Sequence, residues 1–260
     1  MTADLLAASW DADGGPGGAA VRLPAGFEVA YAGPDGREVR AGLDRLRCAE
    51  LEACRPVRSF PSYRGQRNYP GWYWSATMAR RVGFESWVER GHLVALDFDP
   101  AVTAIVSQPF WLSWRTPAGK ARRHAPDFFA RLAGGGALVV DSRPRDAADE
   151  SDREAFAATR KACDVLGWGY AVCGAMDPVV AANHRWIAGY RHPRCGEPAT
   201  EARLLEAFGP GLGLMEGAEA AGDPLATLPA LFHLMWRREL TADLTVVLSD
   251  RTVVRRTGRG

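Results

Sequence analysis

The chain of 260 residues is long enough to bury a hydrophobic core in one or two domains, and its 47% hydrophobic and 24% charged residues are typical of a globular protein. The formal net charge of +1 argues neither for nor against a nucleic-acid partner. Only Lys120 and Lys161 among the 32 basic residues are lysines, so chemistry that needs a neutral amine has few candidates.

Cysteine usage and hydropathy exclude further classes of protein. The five cysteines include no CxxC pair, which argues against a disulfide framework and favours a reducing compartment. The spacing of His184, His192 and Cys195 matches no usual zinc pattern. The N-terminus lacks the basic start of a signal peptide, and no segment approaches the roughly 18 to 20 apolar residues of a membrane span. We therefore expect a cytoplasmic protein with no membrane partner.

The N-terminal part of the sequence predicts a tail, a hairpin and a helix in that order. Residues 1–20 end in a glycine-rich stretch that predicts disorder. Residues 27–43 alternate apolar and polar side chains on both sides of a Gly-Pro-Asp-Gly turn, which indicates a hairpin. Residues 58–82 mix arginine with tyrosine and tryptophan, which suits either a nucleic-acid surface or an ordinary loop over a core. Residues 84–98 then have helical spacing, and Pro100 ends the predicted helix.

The stretch from Arg122 to Pro144 predicts a second hairpin with charged groups at its ends. An apolar run at 102–114, predicted as one strand, leads into it. Asp127 opens its first strand, and Asp141 ends its second strand after a triple-glycine turn. Because strand side chains alternate, Asp141 and Arg143 are expected on one face. Two carboxylates and a cation at one sheet edge suit Mg2+ and a phosphate substrate.

The middle of the sequence predicts the last helix and strand of an α/β domain. Residues 153–167 have the spacing of a helix packed on a sheet and stop at Gly167, and residues 170–173 suit a short strand. A helix between two strands is the usual crossover in a mixed sheet. The fold class is therefore predicted to be α/β.

The C-terminal part changes character to helices followed by a hairpin. Helices are expected at 179–190, 200–208 and 224–240, and two strands around Ser249-Asp250 are expected within 243–256. This layout indicates a winged helix, with a helical cap on the first domain as the alternative. The predicted domains are a disordered tail (1–20), an α/β domain with an N-terminal hairpin (21–178) and a winged-helix-like domain (179–260).

A resemblance to a known family narrows these predictions. A helical glutamate, a Pro-Asp pair and an acid-x-base ending resemble the PD-(D/E)XK nuclease core of restriction-type endonucleases, which implies a mixed sheet flanked by helices. The ordered blocks RSFPSYRGQRN, FESWVERGHLVALDFDP, SQPFWLSW, RRHAPDFFARL and VVDSRP resemble the TnsA endonuclease subunit of heteromeric bacterial transposases. The resemblance covers roughly residues 55–178 and, less specifically, the tail from Phe232 to Val254.

Site residues follow from that resemblance position by position. The helical acid falls on Glu89, with Glu85 as a second claimant, and the two strand acids fall on Asp127 and Asp141. These three carboxylates are the implied ligands of Mg2+, with Mn2+ as a substitute. Arg143 stands where the motif has lysine, and an arginine can act only as an electrostatic clamp because it stays protonated.

Two neighbouring side chains are open alternatives for the missing amine or base. Lys161, on the helix that follows, could supply a displaced amine or could be solvated. His92 could act as a base or could only line the site.

The resemblance implies a metal-dependent DNA endonuclease that hydrolyses a phosphodiester at transposon ends. Its implied partners are double-stranded DNA, a transposase subunit and an ATPase regulator. Arg143 motivates one alternative, a catalytically inactive nuclease-fold module for DNA or partner binding. A stand-alone restriction or repair nuclease is the other alternative.

Overall fold

A computed structural model describes residues 26–60, 63–66, 68–143 and 149–258, so the tail predicted at 1–20 lies outside the described residues. The chain divides into two compact units, Met1–Ala175 and Met176–Gly260. Each unit is described by itself below.

Unit 1 is built from ten strands and three helices among its described residues. The strands are β1 Glu28–Ala32, β2 Glu38–Gly42, β3 Gly71–Ser75, β4 Arg80–Phe84, β5 Val102–Ser107, β6 Trp111–Arg115, β7 Ala121–His124, β8 Phe128–Leu132, β9 Ala137–Ser142 and β10 Gly169–Cys173. The helices are α1 Cys48–Glu52, α2 Trp87–Phe98 and α3 Glu150–Leu166. Strands and helices are thus mixed, which confirms the α/β class.

The central sheet has the strand order β10-β9-β8-β5. Strands β5, β8 and β9 pair antiparallel, whereas β10 pairs parallel to β9. Helix α3 provides the crossover that a parallel pair requires. It ends at Gly167, whose φ of 66° is left-handed backbone that glycine adopts without steric cost. The hairpin of β8 and β9 and the crossover to β10 agree with the sequence predictions.

A second sheet of order β2-β1-β6-β7 contains the predicted N-terminal hairpin, β1 and β2. The apolar run at 102–114 was predicted as one strand, and this prediction is wrong. The run forms β5 in the central sheet and β6 in the second sheet. Gln108 has a φ of 44° and Pro109 lacks a backbone N–H, so the ladder stops between the two strands.

Residues 58–82 also contain structure that the sequence interpretation missed. Strands β3 and β4 form an antiparallel hairpin within and just beyond that range. Because Phe84 belongs to β4, α2 begins at Trp87 rather than at the predicted Phe84. The carboxylate of Asp97, near the end of α2, accepts hydrogen bonds from four groups of the hairpin: the hydroxyls of Tyr73 and Ser75 and the backbone N–H groups of Ala76 and Thr77.

Helices α2 and α3 contact opposite faces of the central sheet. Val139 of β9 belongs to a buried cluster that includes Ala162 and Cys163 of α3. Ser142, which alternation places on the other face, hydrogen-bonds His92 of α2. The sheet is therefore flanked by helices, and its strand ends lie between them.

Unit 2 is mainly helical. Its elements are α4 Pro178–Ala188, α5 Pro198–Ala207, β11 Leu212–Gly213, α6 Leu214–Ala221, α7 Pro224–Trp236, β12 Leu240–Thr241 and β13 Val253–Arg256. The three strands form a small sheet of order β11-β13-β12. The three predicted helices are present, whereas α6, β11 and β12 were not predicted.

The strand expected at the start of 243–256 is absent from the described structure. Instead, the side chain of Asn183 donates to the carbonyls of Leu244 and Val246, and its Oδ1 accepts from the N–H of Leu248. These three bonds replace the ladder partners that a strand would need, so the segment forms a loop. In the described part of both units, every helix is too short or too polar to cross a membrane.

Candidate active site

The register of the central sheet places three polar residues in one row. Phe128 of β8 faces Val140 of β9 and Ser107 of β5. One residue further along, Asp127 therefore lies between Asp141 and Gln108, and the N–H of Gln108 donates to the Asp127 carbonyl at 2.8 Å. Directly opposed residues of antiparallel strands project from the same face, which applies to Asp127 and Asp141 but not to Gln108, whose φ of 44° is not strand backbone. The row lies on the face that Val139 shares with α3.

The Asp127 carboxylate is affected by a hydrogen bond, by burial and by the charges around it. Its Oδ2 accepts a hydrogen bond from the N–H of Ser142 at 2.7 Å. Burial of this carboxylate raises its pKa well above the usual value, and the negative charges of Asp141 and Glu89 raise it further. The charges of the other two acids predicted from the sequence thus both act on Asp127.

Asp141 is 2% exposed and both of its oxygens have partners. His124 Nε2 lies 2.9 Å from Oδ1, and the Tyr170 hydroxyl donates to Oδ2 at 2.5 Å. Since a carboxylate only accepts, Nε2 of His124 carries the proton. Burial and the Asp141 charge raise the pKa of Tyr170, so its hydroxyl stays a donor. Neither His124 nor Tyr170 was identified from the sequence, although His124 stands three residues before Asp127.

Glu89 lies in the first turn of α2 and is 8% exposed. Its Oε2 accepts from the N–H of Glu85 at 2.7 Å, and its Oε1 accepts from the Ser86 hydroxyl at 3.0 Å. Ser86 Oγ accepts in turn from the N–H of Glu89. Burial raises the pKa of Glu89, and the Glu85 charge adds to this effect. Glu89 therefore closes the N-terminus of α2. The other claimant, Glu85, forms an ion pair with Arg58 at 2.7 Å.

The capping role of Ser86 leads to a stability prediction. The Ser86→Ala variant should lose about 1 kcal/mol of unfolding free energy, because one N–H at the helix start loses its acceptor. Urea unfolding followed by circular dichroism measures this loss. An unchanged midpoint would show that the cap contributes nothing to stability.

His92 connects α2 to the ends of two strands. Its Nε2 donates to the Gly174 carbonyl at 2.7 Å, so Nδ1 is the acceptor for the Ser142 hydroxyl at 2.8 Å. Burial lowers the pKa of His92, which favours this neutral form. With both nitrogens bound by protein, His92 orients the site rather than acting as a base.

Arg143 has a partner other than the acids. Its guanidinium donates to Asp152, in the first turn of α3, at 2.7 Å, and its backbone N–H donates to the Cys173 carbonyl. Asp152 also belongs to the capping box at the start of α3. Lys161, the alternative amine, is exposed on α3. The structure thus sets Asp127 beside Asp141 and pairs the cation at position 143 with α3.

The carboxylate oxygens of Asp127 and Asp141 suit a hard divalent cation, but the described residues do not supply a full set of metal ligands. Residues 26–60, 63–66, 68–143 and 149–258 contain no group of three or more His, Cys, Asp or Glu side chains arranged to hold a metal ion. Mg2+ is usually bound by one or two carboxylates together with water and substrate oxygens. Asp127 and Asp141, adjacent in the row, meet that requirement, and a cation would relieve the repulsion that raises the pKa of Asp127.

Comparison with models of known protein families gives no match, and comparison with curated proteins gives none either.

Proposed function

We propose that this chain is the metal-dependent DNA endonuclease subunit of a heteromeric transposase and hydrolyses a phosphodiester at transposon ends. The observation that carries the proposal is the pair of carboxylates, Asp127 and Asp141, that the sheet register sets side by side, with the charges of Asp141 and Glu89 contributing to the raised pKa of Asp127. Buried carboxylates that repel one another destabilise the fold, so their presence together indicates a cationic ligand.

The arrangement of elements in unit 1 supports the proposal. A helix that carries Glu89 precedes the three antiparallel strands, and α3 leads into the parallel strand β10. Asp127 begins β8 and Asp141 lies near the end of β9, as the resemblance to PD-(D/E)XK nucleases implies. This order of helix, strands and acids supports the proposal.

An exposed aromatic surface supports DNA as the substrate. Four rings between residues 63 and 87 are more than half exposed, namely Tyr63 (66%), Tyr69 (64%), Trp72 (58%) and Trp87 (59%). Arg90 lies over the ring of Trp87 at 5.3 Å, and Arg80 and Arg81 are exposed on β4. Exposed rings with interleaved arginines can stack on bases and contact phosphates. This surface includes the start of α2, the helix that carries Glu89.

Unit 2 favours a protein partner over DNA. Helix α7 contains no lysine or arginine. A cavity of about 400 Å³ lies between α4, α7 and the loop held by Asn183, and it is lined largely by apolar side chains such as Leu214, Leu228 and Phe232. Trp186 lines it too and is 56% exposed. Such a surface suits contact with the transposase subunit or an ATPase regulator.

In the proposed reaction, Asp127 and Asp141 would hold Mg2+ or Mn2+, and Glu89 would maintain the negative potential beside them. The bound cation supplies neutralisation of the charge that grows on the scissile phosphate. His92 and Ser142 fix the strand ends against α2 and thereby hold the two acids in place. His124 and Tyr170 orient the Asp141 carboxylate.

The decisive experiment combines the purified chain with double-stranded transposon-end DNA, its proposed transposase partner and Mg2+. Nicks at the transposon ends are expected, and they should disappear when EDTA removes the metal. Intact DNA under conditions in which the partner is active would contradict the proposal. Nicks formed equally well without the partner would instead support the stand-alone nuclease.

The contact between Arg143 and Asp152 favours one second candidate, an inactive nuclease-fold module that binds DNA or a partner. In this alternative, Arg143, which stands at the position of the motif lysine, binds the start of α3 and takes no part in catalysis. The inactive-module hypothesis predicts that the parent chain does not cut DNA. It also predicts that Arg143→Lys combined with Asp152→Asn restores metal-dependent nicking. Cleavage by the parent chain would exclude it.

A further inference from the structure

The hairpin of β3 and β4 has two faces of different character. Side chains alternate along β3, so Trp72 and Trp74 project from one face while Tyr73 and Ser75 project from the other. The hydroxyls of Tyr73 and Ser75 are bound to Asp97 of α2, which makes theirs the inner face. Trp72 is 58% exposed, so the opposite, outer face is open to solvent at this position.

The strand register adds an arginine to the outer face. Arg81 of β4 lies directly opposite Trp74, and Gly83 lies directly opposite Trp72. Directly opposed residues of antiparallel strands share a face. The positive φ nearest to these strands, 48° at Ala79, lies in the turn between them, so alternation is unbroken within each strand.

The ring of Phe60 lies against the same face. A Cβ at Gly83 would overlap that ring, so only glycine leaves room for it. The ring centroids of Phe60 and Trp72 are 5.3 Å apart, and the ring planes meet at 73°. This contact holds the Trp72 ring in one orientation before a ligand binds, which lowers the entropy cost of stacking on it.

The charge of the hairpin complements an anion. Strands β3 and β4 contain Arg80 and Arg81 and no acidic residue, and Arg81 is exposed. Sheets that bind single-stranded nucleic acid stack bases on exposed rings and hold the phosphates with cations. The outer face provides both kinds of group.

The spacing of the two tryptophans favours unpaired bases. Residues two apart along a strand are separated by about 6.8 Å. Bases stacked in a duplex are only about 3.4 Å apart along one strand, and their neighbours cover their faces. Adjacent bases can therefore stack on Trp72 and Trp74 together only where the DNA strand is extended and unpaired.

Taking DNA as the ligand from the proposed function, on which the inference rests, we infer that the outer face of the β3 and β4 hairpin binds a short unpaired stretch of DNA. Bases stack on Trp72 and Trp74, and Arg81 contacts a phosphate of the same strand. Asp97 binds the inner face of the hairpin and belongs to the helix whose first turn carries Glu89. The bound strand is therefore held by the same helix and hairpin that carry one of the proposed site acids.

The test measures binding of the full chain to a labelled oligo(dT) strand of about twelve nucleotides, a length within the usual range for such surfaces. Divalent metal is omitted so that no cleavage accompanies binding, and fluorescence anisotropy gives the affinity. Two comparison ligands have the same length: a DNA duplex, and a strand whose central nucleotides are abasic and therefore keep only the phosphates. The melting temperature of each variant shows whether it is folded.

The parent chain should bind oligo(dT) more tightly than it binds the duplex or the abasic strand. Trp72→Leu should lose about 5- to 100-fold in affinity for oligo(dT), which is the usual loss when a stacking ring is removed. This variant should also distinguish oligo(dT) from the abasic strand much less than the parent does. Trp72→Phe should keep most of the affinity, because a ring remains at the position.

Arg81→Gln tests the phosphate contact, and Arg37→Gln is its matched control. Arg37 is also exposed, but it lies between β1 and β2 beside Asp35. Each phosphate contact on a single strand contributes about 0.7 to the slope of log affinity against log salt concentration. Arg81→Gln should lower the slope by about that amount, whereas Arg37→Gln should leave it unchanged.

Two results overturn the inference and leave the proposed function intact, provided that the parent chain nicks transposon-end DNA. One is binding of oligo(dT) by Trp72→Leu at the parental affinity. The other is equal affinity of the parent for oligo(dT) and the abasic strand, which would mean that only phosphates are bound. If the parent binds oligo(dT) through Trp72 but cuts no DNA, the proposed function fails and the inference stands.

Discussion

The Asp127→Asn variant should be more stable than the parent at neutral pH without divalent metal, and it should be inactive. The sign follows from the pKa of Asp127, which is raised well above the ordinary value by burial and by two acidic neighbours. The ionised group therefore destabilises the folded state, and the unfolding free energy of the parent falls as pH rises from the ordinary carboxyl pKa to the raised one. Asparagine carries no charge and removes this fall.

Mg2+ should make the parent chain more stable than the Asp127→Asn variant. A ligand that binds only the folded state at a hundred times its dissociation constant adds about 2.7 kcal/mol. The parent should gain this stabilisation, and Asp127→Asn should gain much less. Urea unfolding between pH 4 and pH 8, with and without Mg2+, measures both effects. Sodium chloride at matched ionic strength is the control for screening. Equal pH slopes in the two proteins would contradict the electrostatic account.

Cleavage should fall at least about a thousandfold in the same variant, which corresponds to roughly 4 kcal/mol of transition-state stabilisation. The loss cannot be ascribed to misfolding, because asparagine Oδ1 still accepts the hydrogen bond from the Ser142 N–H. Single-turnover rates with transposon-end DNA provide the measurement. Residual activity within tenfold of the parent would mean that Asp127 does not bind the cation.

The Asp97→Ala variant should be among the most destabilised single variants of unit 1. Asp97 is 5% exposed, and its carboxylate accepts four hydrogen bonds that join α2 to the hairpin of β3 and β4. Removing one acceptor leaves four donors unsatisfied at roughly 1 kcal/mol each, so the expected cost is about 3–5 kcal/mol. Urea unfolding of the full chain measures the cost.

Asp99 supplies the matched control for Asp97. It lies two residues further along, is 9% exposed, and its carboxylate accepts from the Ala101 N–H. Asp99→Ala should therefore cost only about 1 kcal/mol. If the two variants were equally destabilised, the four hydrogen bonds of Asp97 would not explain its importance.

Local sequence signals predicted several elements because their causes lie within a few residues. The turn glycines mark the hairpins, and Gly167 ends α3. The same signals failed where distant groups replaced local partners. The loop before Ser249 has a strand-like sequence, yet Asn183 from α4 satisfies its backbone.

The residues of the candidate site also differ in whether the sequence could identify them. Asp127, Asp141 and Glu89 could be named from the sequence because the resemblance is carried by short motifs, and their roles stay predictions. His124 and Tyr170 could not be named, because they come from β7 and β10. Only strand pairing places those segments beside the acids.

The sequence by itself determined the α/β class and the hairpin of β8 and β9. These depend on periodicity, turn residues and motif spacing, which are local properties of the chain. The tertiary structure decided which groups are hydrogen-bond partners. Arg143 is bound to Asp152, and Asp141 is bound to His124 and Tyr170. The backbone N–H of Gln108 is bound to the carbonyl of Asp127. Partner choice depends on strand register and on the burial of charge, and both arise only when segments distant in the sequence are packed together.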